Sequence, residues 1–275
     1  MWYQAKFNKV FNIIFIGSMI FVGCSGWSYE EWNGVFYPKS KINKLKFYST
    51  MFNTVEVNST FYREINNDII NRWIETVRGK NFIFSIKVPQ NITHKAILEK
   101  DSNSKSLYET FIDKTVRPIR NARMLGAVLV QLPPSFNSNL QTELLDTICC
   151  ENEYRTAVEV RNKDLYSNEE LRKELEKRGI AIVDVDSTEH PLSNLNSGLK
   201  WSYVRLHGRA QLGWKSQNPY DYRYSEQEIS DLSSKIMAKN YDEIFVYFNN
   251  HPRGSAPINA LKMASCLGIS NNWFF

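Results

Sequence analysis

The chain has 275 residues, which suits one (β/α)8 barrel or two smaller domains. Its apolar content of 43% and charged content of 23% are ordinary for a soluble globular protein. The formal charge of +5 is too mild to mark a nucleic-acid binder by itself, and it favours an anionic ligand slightly.

The first residues admit two readings. Lys6 and Lys9 precede an apolar run over 10–22, and Phe21-Val22-Gly23-Cys24 looks like a lipoprotein cleavage box. The same residues read as a buried first strand that cleavage before Cys24 would remove. The run is broken by Asn12, Gly17 and Ser18 and is short for a membrane span. Residues 1–18 are therefore expected to be an amino-terminal extension outside the fold, with Met19 as a natural start and 19–275 as a single domain. Cys24, Cys149, Cys150 and Cys266 show no metal-finger spacing, and a vicinal pair is a poor disulfide scaffold. Reduced thiols in a cytoplasmic protein are the expectation.

Taken in order, the pattern predicts strand one over 20–24 and a loop over 25–43 rich in aromatics (Trp27, Tyr29, Trp32, Phe36, Tyr37). A helix over 44–52 and strand two over 54–58 follow. The next helix covers 68–77, with Ile69, Ile70, Trp73 and Val77 on one face and Gly79 as its stop. Strand three covers 82–88. A long polar loop with Pro89 and His94 leads to a helix over 105–124 that Pro118 should kink or split. Strand four covers 127–132, stopped by Pro133 and Pro134, and a helix over 137–150 precedes strand five over 156–160. Asn168 is placed to cap the fifth helix, with glutamates in its first turn. Strand six covers 180–185, and 186–200 shows no convincing helix. Strand seven covers 201–206, before a loop over 207–224 that carries Trp214, Tyr220, Tyr222 and Tyr224. Ser225 and Glu228 form a capping box, strand eight covers 243–248, and the last helix covers 256–267.

Strict strand–helix alternation over eight units, with no linker, implies a parallel α/β fold. The expected form is a TIM-type (β/α)8 barrel with eight parallel strands. An open doubly wound sheet would want a glycine-rich phosphate turn after strand one, and Gly23-Cys24-Ser25-Gly26-Trp27 lacks the spacing.

The stretch from Thr54 to Arg63 alternates polar and apolar residues, putting Thr54, Glu56, Asn58 and Thr60 on one side. In a chain of buried strands that side faces an enclosed centre, where a carboxylate needs a partner or a ligand. Polar residues recur at the other strand ends: Lys87, Gln131, Glu159 with Arg161, Asp184 or Asp186, Arg205 with His207, and Asn249 or Asn250. Ligands of such barrels sit at these carboxyl ends. Glu56 and Glu159 are acid/base candidates for a hydrolase or lyase, with His207 beside them. Lys87, Arg161 and Arg205 suit a phosphate or carboxylate, while Asn58, Gln131 and Asn249 orient it and Trp27, Tyr62 and Trp214 bind or stack on it. A purely structural role remains open, in which Lys87, Glu159, Arg161 and Arg205 neutralise one another. A metal held by Glu56, Glu159, Asp184 and His207 is a further alternative, although the four histidines show no paired spacing. No cofactor is evident, and a divalent metal stays open. A nucleotide or single-stranded nucleic-acid binding module is the alternative to an enzyme. No membrane association is expected, and the oligomeric state is left open.

Several ordered segments resemble the YecE-like family, the domain of unknown function numbered 72. They are Val22-Gly23-Cys24-Ser25-Gly26-Trp27-Ser28-Tyr29, Gly34-Val35-Phe36-Tyr37-Pro38, Val55-Glu56-Val57-Asn58-Ser59-Thr60-Phe61-Tyr62, Phe84-Ser85-Ile86-Lys87, Ile92-Thr93-His94, Gln131-Leu132-Pro133-Pro134-Ser135-Phe136, Val158-Glu159-Val160-Arg161, Tyr203-Val204-Arg205-Leu206-His207-Gly208 and Tyr247-Phe248-Asn249-Asn250. The resemblance runs from about residue 20 to 267. It implies a TIM-type barrel, and it implies no particular reaction. Residues 1–18 lie outside it.

Overall fold

The computed structural model describes residues 18–148, 153–162, 165, 168–192, 198–211, 218–238 and 240–269. The expected extension, apart from Ser18, lies outside the described residues, as do Cys149, Cys150 and Trp214. The described strands are β1 (Met19–Cys24), β2 (Thr54–Val57), β3 (Ile83–Lys87), β4 (Leu125–Gln131), β5 (Arg155–Glu159), β6 (Ala181–Ile182), β7 (Asp184–Ser187), β8 (Trp201–Gly208) and β9 (Glu243–Phe248). They pair into two all-parallel sheets, β2-β3-β4-β5-β6 and β1-β9-β8-β7. The chain is thus α/β with parallel sheets, as expected, but the single closed eight-stranded ladder is corrected to a five-stranded and a four-stranded sheet.

Both interruptions have visible causes. Strand six is split: β6 pairs with β5, Val183 separates it from β7, and β7 pairs with β8. Val183 still donates its backbone N–H to Val158 O at 2.9 Å. Between β1 and β2 the side chain of Tyr48 takes the place of a ladder bond. Cys24 N–H donates to Tyr48 Oη at 2.7 Å, and that hydroxyl donates to Thr54 O at 3.1 Å. Asn53 bridges the same seam, accepting from Val22 N and donating to Ile20 O at 3.2 Å each. The seam is tight: a Cβ on Gly23 would lie 2.2 Å from Thr54 O and 2.9 Å from Tyr48 Oη. Beyond it, Ser25 and Glu56 form an isolated parallel bridge, and Gly26 N–H donates to Glu56 O at 2.8 Å.

Period-2 alternation sorts the strand side chains into two layers. Val22, Val55, Val57, Ile86, Val128, Val158, Val204 and Val246 belong to a large core packed with the helices. Phe21, Leu129, Ala157, Val183, Tyr203, Phe245 and Tyr247 form a second, inner cluster. Tyr247 Oη bonds Thr54 Oγ1 at 2.7 Å and Ser85 Oγ at 2.8 Å, so the inner polar groups of β2, β3 and β9 satisfy one another.

Other expectations need correction. β2 ends at Val57, and Asn58 has α-helical angles (φ −89°, ψ −17°) at the entry to a one-turn helix, Ser59–Tyr62. Asn58 and Thr60 therefore do not continue the Glu56 face of a strand, because the chain turns back to hydrogen-bond Thr60 Oγ1 to Val57 O and Lys87 O. The segment after β3, read as a polar loop, is helical: a π-helical turn over Ile92–Ala96 runs into Ile97–Glu99. The helix around Pro118 is divided into Ser104–Phe111, a π-helical turn at Ile112–Val116 and Arg117–Asn121, so the split falls just before the proline. The caps form as read. Asn168 Oδ1 accepts from Leu171 N at 2.9 Å, and Ser225 with Glu228 makes the reciprocal capping box.

Candidate active site at the strand ends

The inner face of β8 carries Tyr203, Arg205 and His207, since their neighbours Val204 and Leu206 belong to the outer core. The same alternation turns Glu56, Lys87, Gln131 and Glu159 inward at the carboxyl ends of β2, β3, β4 and β5. All six polar residues are buried, at 0 to 7% exposure. Arg205 is the centre of this group. Its Nη2 donates to Glu56 Oε1 at 2.7 Å, and its Nη1 donates to Glu159 Oε2. One guanidinium thus joins carboxylates from β2 and β5 of the five-stranded sheet. Tyr203 Oη occupies the other oxygen of Glu56 at 2.7 Å.

Glu159 is the second hub. Its Oε1 accepts from Gln131 Nε2 at 2.7 Å and from Arg161 Nε at 2.9 Å. The Gln131 amide is thereby fixed with its oxygen toward Lys87, whose Nζ donates to it at 2.7 Å. Arg161 Nη2 donates to Tyr220 Oη at 3.0 Å. His207 lies with Nε2 3.4 Å from Glu159 Oε1, and its Nδ1 is 3.0 Å from Asn249 Nδ2. An amide nitrogen only donates, so Nδ1 accepts and a neutral His207 carries its proton on Nε2. The Nε atoms of Arg205 and His207 (Nε2) are buried without a hydrogen-bond partner. The cations Lys87, Arg161 and Arg205 outnumber the carboxylates Glu56 and Glu159 by one.

These contacts tune protonation. Burial by itself would raise Glu159, but Arg205, His207 and Arg161 override it and hold the carboxyl well below its usual range. Burial works against the Arg205 charge too, and Glu159 with Glu56 overcomes it, so the guanidinium is held more firmly protonated. Lys87 is the opposite case. Burial, reinforced by Arg205, pushes its amine down to about 7. Burial also lowers His207, against the pull of Glu159, so the ring is neutral near pH 7.

Above the charged group lies a cavity of about 390 Å³. Glu159, Arg161, His207 and Tyr220 line it, with His190 and Ser187 on the side of β7. Arg161 keeps 32% of its side chain exposed, whereas Arg205 keeps 1%. A second cavity of about 340 Å³ lies beside Phe61, Tyr62 and Ile92. Among the described residues no group of three or more His, Cys, Asp or Glu is placed to hold a metal ion. Asp184 and Asp186 share a face of β7 opposite to that of Val185, and Asp186 is taken by Arg209 (2.8 and 2.9 Å) and Tyr224 Oη (2.8 Å).

A family model described as "Protein of unknown function DUF72" matches residues 21–274. The chain belongs to the DUF72 family. UPF0759 protein YecE of Escherichia coli (strain K12) is 30% identical over 176 residues, 62% of this chain. The match spans 60% of YecE, less than two thirds of that relative. Among solved structures, a DUF72 protein of Thermotoga maritima MSB8 is 28% identical with a TM-score of 0.77, covering 91% of this chain and 99% of that one. A DUF72 protein of Enterococcus faecalis v583 has a TM-score of 0.78 at 24% identity, covering 92% and 96%. A D-psicose 3-epimerase has a TM-score of 0.51 at 11% identity over 82% of this chain and 91% of its own, a likeness of TIM-barrel-like fold alone.

In this DUF72 chain, nine of the residues singled out from sequence meet in one group: Glu56, Lys87, Gln131, Glu159, Arg161, Arg205, His207 and Asn249, with Asn58 beside Tyr29 at the rim. Trp27 is half-buried and packs edge-on against Trp73 at 5.4 Å. Tyr62 is 71% exposed and lines the second cavity. Tyr203, Phe61, Tyr220 and His94 join the group without having been assigned to it. Tyr203 was readable, being two residues before Arg205 on the same face. His94 was not, because the π-helical turn that brings its ring edge-on to Phe61, at 5.1 Å, has no signature in the local composition.

Among the described residues no helix is long and apolar enough to cross a membrane. Cys24 and Cys266 are both free thiols.

Proposed function

We propose that the chain is an enzyme acting on a small anionic substrate held in the cavity over Glu159. The observation that carries this reading is Arg161: a guanidinium on the cavity wall that, among the described residues, is held by one carboxylate oxygen and one tyrosine at two of its nitrogens. Such a donor set matches a phosphate or carboxylate. In this reading His207 Nε2–H and the Tyr220 wall orient the ligand. Glu159, rather than Glu56, is the carboxylate in reach of substrate, and it stabilises positive charge that develops beside it. Glu56 serves to aim Arg205. Lys87 is the member of the group whose protonation changes near pH 7. The two sheets, joined through Arg205, would then work as one TIM-type barrel with its ligand at the strand ends.

The ring faces at the mouth favour a small ligand over a nucleic acid. Tyr29 stacks on His251 at 4.6 Å, His251 stacks on Tyr220 at 6.1 Å, and Trp27 abuts Trp73, so these rings already pack on one another. The test is a thermal-shift series with inorganic phosphate, sugar phosphates, dicarboxylates and short oligonucleotides, on the parent chain and on Arg161→Ala. A ligand present at a hundred times its Kd adds about 2.7 kcal/mol to stability. A rise in Tm with a small anion, absent in Arg161→Ala, is expected. No rise with any small anion, or an equal rise in the variant, would remove the reading.

A further inference from the structure

The cavity over Glu159 is charged only in part. Its buried lining consists of Glu159 and His207 and, for the rest, of Val160, Val185, Gly208 and Ala210. Val185 belongs to the inner cluster, on the face of β7 opposite to Asp184 and Asp186, so the alternation of β7 turns an aliphatic side chain toward the ligand space. Pro134 and Pro219 line the cavity where it is exposed, and a proline has no N–H to offer. The other polar residues of the lining come from one turn, 187–190, which is exposed or half-buried and is tied to itself. Ser187 N–H donates to His190 O at 2.8 Å, and His190 N–H donates to Ser187 Oγ at 3.1 Å. The Thr188 hydroxyl spends its one proton on Ala210 O at 3.1 Å. Against these stand Arg161, half-buried and bound to Glu159, and the Nε2–H of His207, which is buried without a hydrogen-bond partner. The donors therefore gather at one end, beside Glu159, and an aliphatic wall faces the remaining space. A ligand hydroxyl pressed on that wall leaves water without gaining a partner, which weakens binding about ten-fold for each such group. A methylene covered there strengthens binding by about four-fold.

We propose that this cavity selects anions with an apolar body, branched aliphatic or aromatic carboxylates and phosphate monoesters, over polyhydroxylated anions such as sugar phosphates. The proposal rests on the anion-site reading above and names its substrate class. The charged head meets Arg161 and the Nε2–H of His207, and the body lies against Val185 and Ala210. The head sets whether a ligand binds, and the wall sets which one. Ligands of equal charge are therefore separated by their bodies alone.

The test is titration calorimetry on the intact chain with pairs matched in charge. Phenyl phosphate is compared with glucose 6-phosphate, and 4-methylpentanoate with gluconate; benzyl alcohol is the uncharged control. The apolar member of each pair should bind at least ten-fold more tightly, with a negative heat-capacity change that marks burial of apolar surface. Val185→Thr keeps the shape of the wall and adds a hydroxyl to it, and it should cut that preference at least three-fold. Ala210→Ser makes the same change at a second position, so the proposal stays testable if the first variant folds poorly. Arg161→Ala should weaken every anion at least ten-fold. Equal affinities within both pairs, lost in Arg161→Ala, would overturn the apolar-body class and leave the anion site standing. A preference unchanged in both wall variants would overturn the placement against Val185 and Ala210, and the proposal with it. Benzyl alcohol binding as tightly as phenyl phosphate, with neither changed in Arg161→Ala, would overturn the anion site. Binding by none of the five would overturn both readings together.

Discussion

Replacing Arg205 by methionine tests the centre of the group. The side chain is 1% exposed and binds two carboxylates that are themselves 0 and 1% exposed. Methionine restores much of the volume but, among the described residues, leaves the Glu56 carboxylate only Tyr203 Oη, while Glu159 keeps Arg161 and Gln131. Removing one side of a buried ion pair costs about 3–5 kcal/mol, because the other charge stays buried without its partner. For a chain of this size that is a fall in Tm of roughly 6–15 °C. Urea denaturation at pH 7 measures it, with Arg205→Met/Glu56→Gln as the companion variant. If the cost is the orphaned Glu56 charge, the double variant should recover more than half of the loss. The pH dependence has a defined sign. Glu159 is held below its unfolded value of about 4.3, so the stability it lends is present above that pH and is lost as pH falls through the lowered folded value. Without Arg205 the lowering is smaller, so the gap between variant and parent should narrow as pH drops below about 4.3. A loss under about 1 kcal/mol at pH 7, or a gap that widens in acid, would refute the reasoning.

Arg161→Ala should behave differently, losing no more than about 1 kcal/mol of stability because its pair is partly exposed, while weakening anion binding ten- to hundred-fold; titration calorimetry and urea melts check the two halves. Lys87→Met should be stabilised relative to the parent at neutral pH. Lys87 has a folded value of about 7, below its unfolded value of about 10.4, so its burial costs stability below about 7 and the cost fades as pH rises through that window. The Tm difference should therefore shrink between pH 7 and 10, and a constant difference would count against a lowered Lys87. Gly23→Ala should cost at least about 1–3 kcal/mol, since its Cβ would meet the Thr54 carbonyl at 2.2 Å; an unchanged Tm would show that the β1–β2 seam can open. Ser225→Ala should cost about 1 kcal/mol through the lost capping box, measured by thermal melts.

The order of strands and helices was legible because burial on both faces of parallel strands leaves apolar runs separated by amphipathic segments. The inward residues were legible by the same period of two: Glu159 two before Arg161, Arg205 two before His207. What the alternation could not supply was its own limits. It carried strand two to Asn58 and the Glu56 face on to Thr60, whereas the chain already turns at Asn58, because an alternating polar pattern does not reveal a backbone that leaves the sheet. The open seam between β1 and β2 depends on a tyrosine hydroxyl from a neighbouring helix, a contact across 24 residues from Cys24. His94 and Tyr220 reach the group only through tertiary packing, and neither stands at a strand end.

The sequence posed a structural ion network and a ligand site as alternatives, and the geometry lets one group of residues serve both. Arg205 is held at both Nη atoms by Glu56 and Glu159 and is 1% exposed, so it serves to hold the group together. Arg161, just past the end of β5, shares Glu159 but is 32% exposed on the cavity wall, where among the described residues only Glu159 and Tyr220 bind it. Among the described residues Lys87 has no carboxylate of its own, and burial makes its charge the least favoured of the three cations. The one excess positive charge is thus divided between a guanidinium that keeps it and an amine that can give it up. An anion arriving at Arg161 would favour the charged form of Lys87, and an uncharged Lys87 would lower the cation count that attracts the anion. Binding and protonation at this mouth are therefore coupled by charge, so anion affinity should fall as pH rises through 7. Calorimetric titration with one phosphate ester at pH 6 and pH 8.5, in buffers of different ionisation enthalpy, should show proton uptake on binding that Lys87→Met abolishes. Uptake that persists in that variant would place the titrating group elsewhere.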